Sequence, residues 1–372
     1  MTIAQISRSL SAGSQSAADS AAEHIADAEV NRHLAGDVVE ALVASGFARH
    51  FVPARWSGNA GSFAELADAS ATVGAECLSA GWCGLIFATS SRMAALLPLA
   101  GQEELWSEHP DALIAAGLVP GGTAVPTPGG WLLSGTWRPL SGVDFADWTL
   151  LCAPIADQQP QQLHFFAVPR RDFLIRDTWD TVGMRGTGSK TVVVDEAFVP
   201  SDRAFAQQVL LRGSDDPTAA NCHRAPLLAV APPLFVSPAL GAARGALASW
   251  SRTIAEGTTP AGPASGVEFN QRTLAETSAE IDAAELLLQR ALDVADSGQF
   301  SPLLAARNAR DASHSAGILT GAVDRLFRAA GAPAQQSGAV LQRVWRDIHC
   351  ATTHAALRPD RAAQHHARAV WG

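Results

Sequence analysis

The feature that most constrains this chain is that its hydrophobic period changes twice. Up to about Trp106 the apolar residues recur at helical spacing. Val38, Leu42 and Val43 share one face, and Phe63, Leu66, Ala67 and Val73 form another. Pro53, Gly58, Gly61 and Pro98 cut this stretch into several helices. From Gly117 to Pro200 the period gives way to short runs rich in Val, Leu, Phe and Trp, over 131–137, 148–155, 163–168, 173–179 and 190–199. Pro-Gly, Ser-Gly and Gly-Thr-Gly punctuation separates them, which predicts a compact antiparallel sheet. Residues 203–236 hold Gly213, Pro217, Pro226, Pro232 and Pro233 and read as an irregular boundary loop. After Pro238 the helical period returns, with Leu274, Ile281 and Leu288 at sevens and Leu319, Val323, Leu326 and Ala330 repeating the pattern. Strands are not interleaved with helices, which argues against a doubly wound parallel sheet.

Composition narrows the classes of function. The chain is 47% hydrophobic and 17% charged, enough to bury a large core and too apolar for global disorder. Its 27 basic and 36 acidic side chains leave a formal charge of −9, which repels a phosphate backbone. The longest basic run is Arg170-Arg171, so no nucleic-acid partner is expected. Five cysteines without a CxxC pair read as reduced thiols. The first twenty residues lack a secretory apolar block, and no eighteen-residue apolar stretch is free of charge. A cytoplasmic protein without a membrane partner is expected. There is no tyrosine, so no phenol hydroxyl can serve as a catalytic acid.

Residues 183–191, Gly-Met-Arg-Gly-Thr-Gly-Ser-Lys-Thr, form the densest glycine segment. A Walker loop needs Lys directly after its last Gly, and here Ser189 intervenes. A dinucleotide fingerprint must open a helix, and here a Val-rich strand follows. Two readings stay open: a plain inter-strand turn, or a turn whose backbone approaches a planar ligand. His349 and His354 lie five apart, about 140° around a helix, so they cannot share one metal ion. No metal site and no G-x-S-x-G elbow is expected. The Ser141-Gly142 pair would turn sharply between strands and expose a hydroxyl and an N–H. On a helix Arg343, Asp347, Cys350 and His354 would fall on one polar stripe. That stripe reads either as a functional face or as an Arg343–Asp347 ion pair beside a surface histidine, worth a few tenths of a kcal/mol.

Taken together, G-T-W-R-P-L-S-G at 135–142, V-G-M-R-G-T-G-S-K at 182–190, V-V-V-D-E-A-F-V-P at 192–200, L-F-R-A-A-G-A-P-A at 326–334 and Q-R-V-W-R-D-I-H at 342–349 resemble the acyl-CoA dehydrogenase superfamily. The resemblance runs from about residue 20 to 360. It is closer to the branch of two-component flavin-dependent monooxygenases. It implies an α+β, mostly α fold: an N-terminal helical domain (1–113), a small antiparallel β-barrel (114–205), a connecting loop (206–236) and a C-terminal four-helix bundle (237–372). It places the flavin between barrel and bundle, with Leu118, Pro120, Trp137, Ser141 and Gly142 facing the isoalloxazine and Arg185, Thr187 and Ser189 nearby. The Ala330-Gly331 turn would reach the cofactor of a neighbouring subunit, implying a homodimer or homotetramer.

Within that superfamily a dehydrogenase needs a carboxylate over the substrate α-carbon. The two locations where the family carries it, 348–355 and 241–250, contain no acid here. The monooxygenase branch instead has His at the position of His354 and Ser at that of Ser141. The resemblance therefore implies reduced flavin (FADH2 or FMNH2) supplied by a separate NAD(P)H-dependent reductase. O2 would react with it to a C4a-hydroperoxide that oxygenates a small hydrophobic, aromatic or polycyclic metabolite. Ser141 would give a fixed hydrogen bond and His354 a controlled proton. Hydroxylases of the branch often carry His where this chain has Ser90 and Phe145, so those two, with His349, are the expected substrate contacts. Alternatives are an acyl-CoA dehydrogenase-like flavin oxidoreductase and a non-catalytic flavin-binding homologue.

Overall fold

A computed structural model describes residues 10–256 and 264–372. The N-terminal helical period folds as α1 (Leu10–Glu23), α2 (Ile25–Asn31), α3 (Gly36–Ala44), α4 (Phe63–Glu76), α5 (Leu78–Ala94) and α6 (Leu99–Trp106). Ser62 starts α4 by accepting a hydrogen bond from Glu65 N, and Pro98 stands at the N-cap of α6. The five apolar runs become strands of the middle region. They overlap β3 (Gly130–Leu140), β4 (Trp148–Pro154), β5 (Leu163–Pro169), β6 (Leu174–Arg176) and β7 (Lys190–Pro200), although only three residues of 173–179 form strand. Three short strands complete it: β1 (Ile114–Gly117), β2 (Gly122–Thr127) and β8 (Ala204–Ala206).

These strands do not close into the expected antiparallel barrel. They form two four-stranded sheets, ordered β1-β4-β5-β8 and β2-β3-β7-β6, touching through an isolated bridge between Ala124 and Ile155. β1 pairs with β4 in parallel. The reason is the connection: between them the chain leaves for the second sheet, makes the β2–β3 hairpin and returns, the long crossover a parallel pair requires.

The expected boundary loop over 206–236 is also corrected. It contains α7 (Gln207–Arg212) and α8 (Asn221–Arg224), and the long helix α9 (Leu227–Ala255) begins well before Pro238. Pro232, Pro233 and Pro238 all lie inside α9. Each lacks the N–H that would bond the carbonyl four residues back. Asn308 Nδ2 donates to the orphaned carbonyl of Ala229, and Ser237 Oγ to that of Leu234. Side chains thus repair a helix that its prolines would otherwise break. α9 is long and apolar enough to cross a bilayer, but 78% of its most apolar window is buried within the protein.

α10 (Ala264–Asp296), α11 (Pro302–Ala330), α12 (Val340–Ala351) and α13 (Pro359–Trp371) complete the C-terminal region. α9, α10 and α11 pack on one another, α12 lies on α9 and α11, and α13 on α11. α9 also packs on α4 and α5, so the first and last helical regions share one core. Glycines allow the α4–α9 crossing. A Cβ at Gly241 would stand 1.9 Å from Ala71 O, and one at Gly74 would stand 2.5 Å from Pro238 O. The obstacles are backbone atoms, so the helices themselves must move. Gly241→Ala is expected to cost about 1–3 kcal/mol through overpacking. Chemical denaturation read by circular dichroism checks this, and an unchanged midpoint would show that the crossing is loose.

Candidate functional site

Two turns meet where the sheets face the helices. The first leaves β3 at Leu140 and reverses at Ser141-Gly142. Gly142 has φ +71, and a Cβ there would lie 2.8 Å from Phe87 Cε1, so the position needs glycine on both counts. The second turn, residues 183–189, passes through left-handed conformations at Met184 (φ 55) and Gly188 (φ +52) before entering β7. Gly142 N donates to Thr187 O at 2.8 Å, and the Cys83 thiol on α5 donates to the same oxygen at 3.7 Å. The glycine-rich segment is therefore a turn tied to both the Ser141 turn and α5.

A chain of hydroxyls joins the two turns. Ser141 Oγ lies 2.8 Å from Ser189 Oγ, which lies 2.7 Å from Thr187 Oγ1. Thr187 Oγ1 donates to Met184 O at 2.8 Å, and Trp82 Nε1 on α5 donates to Ser141 Oγ at 3.2 Å. Thr187 and Ser189 are buried and Ser141 is half-buried.

The Met184 peptide anchors this chain. Its N–H donates to Asp347 Oδ1 on α12 at 2.6 Å, and its carbonyl also accepts from Trp179 Nε1 at 2.9 Å. Asp347 is 1% exposed, and burial pushes its carboxyl up to about 6. The Arg343–Asp347 surface pair expected from spacing is absent among the described residues. Arg343 donates instead to Glu76 O. Arg346 bonds Val182 O and Glu29, tightening the same junction. Arg185 is likewise committed, to Glu29 O, Thr181 O and Asp180, which leaves its guanidinium a clamp on the loop rather than a free cation for a cofactor.

His354 does not continue the α12 stripe. The helix ends at Ala351, where Thr352 and Thr353 turn their hydroxyls onto Ile348 O and Cys350 O. His354 then caps a short 3-10 turn, its Nδ1 accepting from Ala356 N at 3.3 Å. Its ring stacks on Phe235 of α9 with centroids 4.1 Å apart and meets Trp82 edge-on at 5.3 Å. Burial among these rings pushes the imidazole down to about 4. The ring is therefore neutral near pH 7. With Nδ1 accepting, its proton sits on Nε2, which has no protein partner among the described residues. His354 offers a hydrogen bond, not the readily released proton of an imidazolium.

Other expected contacts lie elsewhere. Trp137 is a core side chain, 1% exposed, whose Nε1 donates to Cys152 O at 2.6 Å, so it backs the sheet and does not face a cleft. Leu118 and Pro120 are exposed on the loop after β1. Ser90 is buried within α5. His349 is held by Asp324 Oδ1 at 3.0 Å and tilts against Trp345, facing α11 and not the Trp82–His354 cluster. Ala330 and Gly331 end α11, with Gly331 at φ +65 and open space around it. Phe145 meets His33 edge-on at 6.1 Å. His33 Nδ1 donates to Leu34 O at 2.7 Å. Sequence reasoning missed Trp82, Phe235 and His33, because each comes from a helix or loop outside the glycine and Arg-Asp motifs. Asp144, in the Ser141 turn, pairs with Lys190 at 2.8 Å. Among the described residues no carboxylate hydrogen-bonds Ser141, Trp82 or His354.

The family model for the C-terminal domain of acyl-CoA dehydrogenases matches residues 234–359. The chain is 33% identical to the flavin-dependent monooxygenase oxygenase subunit HsaA of Mycobacterium tuberculosis, over 89% of this chain and 87% of that protein. It is 32% identical to the oxygenase component of the FADH2-dependent resorcinol hydroxylase of a Rhizobium species, over 89% and 86%. Among solved structures, XiaF from a Streptomyces species in complex with FADH2 and glycerol superposes with a TM-score of 0.90 at 28% identity, covering 98% of this chain and 95% of that one.

Asp347 carries a testable signature. The folded protein holds its proton up to pH about 6, whereas an ordinary aspartate loses it near 4. Between those values the folded state binds more protons than the unfolded one, so this group's contribution to stability falls as pH rises through the window. Asp347→Asn keeps an acceptor for Met184 N without titrating. Its stability relative to the parent is expected to improve between pH 4.5 and 7.5 in urea titrations, and a constant difference would disprove the shift. Asp347→Ala should lose about 1–3 kcal/mol and deprotect the amides of 183–189 to hydrogen exchange.

Proposed function

The chain belongs to the family of flavin-dependent monooxygenase oxygenase components, and from that premise we propose that it oxygenates a small aromatic or polycyclic substrate. The reduced flavin would come from a separate NAD(P)H-dependent reductase. The observation that carries this reading is a wall of Trp82, Phe235 and a neutral His354 beside the Ser141 hydroxyl, with both nearby carboxylates already engaged. The residues present fit a flavin. Gly142 keeps the turn free of a side chain, Ser141 Oγ retains a lone pair, and the exposed Leu118-Val119-Pro120 loop offers an apolar edge. FADH2 is favoured over FMNH2 because a relative and a solved neighbour carry it in their names.

When bound, reduced flavin supplies the electrons that activate O2. The chain's own side chains do the rest. The Trp82–Phe235–His354 stack keeps one side of the site apolar and limits access of water. His354 holds a proton on Nε2 and donates a hydrogen bond from it. Asp347 is buried on Met184 N, and Asp144 pairs through Oδ1 with Lys190 while its Oδ2 is shut off from solvent, and among the described residues neither hydrogen-bonds Ser141, Trp82 or His354. That supports oxygenation over dehydrogenation. The aromatic substrate class is supported by the same ring-lined wall and by the resorcinol named for the Rhizobium relative. Phe145 and Ser90 are proposed as its contacts. The Ala330-Gly331 turn ends α11 with open space around Gly331 and is proposed to reach the cofactor of a neighbouring copy in a homodimer or homotetramer.

Mixing the protein and anaerobically reduced FAD with oxygenated buffer tests the reading. A transient absorbance that precedes the oxidised-flavin band is expected, and its absence would count against monooxygenation. His354→Ala should retain flavin but release more peroxide per turnover with an aromatic substrate and reductase present. Unchanged coupling, read by peroxidase assay, would remove His354 from this role.

A further inference from the structure

The hydroxyl chain has only one direction in which all its contacts are hydrogen bonds. Met184 O is a carbonyl and can only accept, so the single proton of Thr187 Oγ1 is directed there. Thr187 must then accept from Ser189, which spends the Ser189 proton. Ser189 in turn accepts from Ser141, which spends the Ser141 proton. Trp82 Nε1 is a donor only and occupies one Ser141 lone pair. What remains on Ser141 Oγ is one lone pair and no hydrogen.

We propose that Thr187 and Ser189 are positioning residues that turn the Ser141 proton away from the cofactor, so that Ser141 meets a flavin as an acceptor and the site favours reduced over oxidised flavin. This rests on the flavin reading above. Reduced flavin carries hydrogen on its central-ring nitrogen N5, which such an acceptor can bind. Oxidised flavin carries a lone pair there, which an acceptor repels. Reversing the chain so that Ser141 donates would leave Thr187 and Ser189 facing each other lone pair to lone pair at 2.7 Å, or else leave Thr187 Oγ1 and Met184 O in contact at 2.8 Å with no hydrogen between them, even though Met184 O keeps Trp179 Nε1 and Thr187 N as donors. Both groups are buried, so no water stands ready to repair the loss. The anchor is itself fixed, since the Met184 peptide is bonded at both ends by Asp347 and Trp179. The preference is thus built into the protein before any cofactor arrives.

Thr187→Val and Ser189→Ala each release the chain, while Thr187→Ser preserves it. Oxidised and photoreduced FAD are titrated anaerobically into the full-length protein and each variant, and the midpoint potential of the bound flavin is measured. In the parent the oxidised form should bind more weakly than the reduced one. In Thr187→Val and Ser189→Ala the ratio of the two dissociation constants should fall about fivefold, the scale of one neutral hydrogen bond. For a two-electron couple that lowers the bound potential by about 20 mV. Thr187→Ser should keep the parental ratio. If both variants bind the two forms with the parental ratio, or lose both equally, the relay does not orient Ser141 and the proposal fails. If the parent protein binds neither form, the flavin reading itself fails and takes the proposal with it. Circular dichroism separates either result from misfolding, and Ser189→Ala, which only removes an oxygen atom, stands in where Thr187→Val does not fold.

Discussion

The Met184 peptide is the joint on which the site depends. It sits in a left-handed conformation on a loop with glycines on either side, a backbone arrangement that costs free energy and persists only when its neighbours over-determine it. Here they do. A buried carboxylate on α12 takes its N–H, and an indole and a hydroxyl share its carbonyl. Because the carboxylate belongs to the C-terminal helices and the loop belongs to the sheets, one residue fixes the sheets against those helices. Gly183 strengthens this by approaching α12 so closely that a Cβ would lie 2.4 Å from Arg346 O. Arg346 and Arg185 then tie the same joint to Glu29 of α2. Three parts of the chain that are remote in sequence are thereby registered to one another.

Burial acts on the two titratable groups of this region with opposite consequences. It disfavours the charged form of each, raising Asp347 and lowering His354. For His354 the result is a permanently neutral ring at physiological pH, because no carboxylate stands by to restore the imidazolium. For Asp347 it is a carboxyl that titrates close to neutrality while its oxygen continues to serve a backbone N–H. The first effect is useful to a site that must keep loose protons out, and the second is tolerated for the position the residue holds. The stacking of Phe235 on His354 joins both roles of the wall, since the ring that desolvates the imidazole also sets its plane.

Much of this was legible in the sequence, and the failures have identifiable causes. Short runs rich in Val, Leu, Phe and Trp, set off by Pro-Gly, Ser-Gly and Gly-Thr-Gly punctuation, located five strands. β1, β2 and β8 escaped because each is short and carries only one large or β-branched apolar residue, Ile114, Val125 and Phe205, among Ala, Gly, Thr and Pro, which give little pattern. The two-sheet arrangement could not be read, since parallel pairing of β1 with β4 depends on where the intervening hairpin goes. Pro232 and Pro233 argued for a loop, and locally they should. The helix survives because Asn308, seventy-odd positions later, supplies a donor that no local rule anticipates. Ser141 was singled out as a turn, and Thr187 and Ser189 came in through the family resemblance; that the three hydroxyls touch was not read from the sequence. Their hydrogen-bond directions were not legible, because direction follows from which neighbour is a carbonyl. His354 was placed on the polar stripe of α12, and that helical phase was wrong because Thr352 and Thr353 end the helix before it. Trp137 was misplaced because an aromatic near a turn reads alike whether it faces a ligand or the core.

The chemistry the site can support follows from the kind of groups left free in it. A carboxylate poised over a substrate carbon removes a proton and so commits a flavin site to dehydrogenation. Here each nearby carboxylate already has a partner, Asp347 a peptide N–H and Asp144 an ammonium. Apart from Asp144 Oδ2, which is buried without a partner, the uncommitted groups are neutral: one lone pair on a serine hydroxyl, one imidazole N–H and aromatic faces. Such groups hold and orient hydrogen atoms but do not readily release or capture them, since none titrates near neutral pH. A site furnished this way is suited to keeping a proton where it already is. That is a requirement of oxygen transfer, in which a stray proton diverts the activated oxygen to peroxide, and it is not a requirement of removing hydrogen from carbon. The distinction therefore lies less in which residues are present than in which of them remain unpaired.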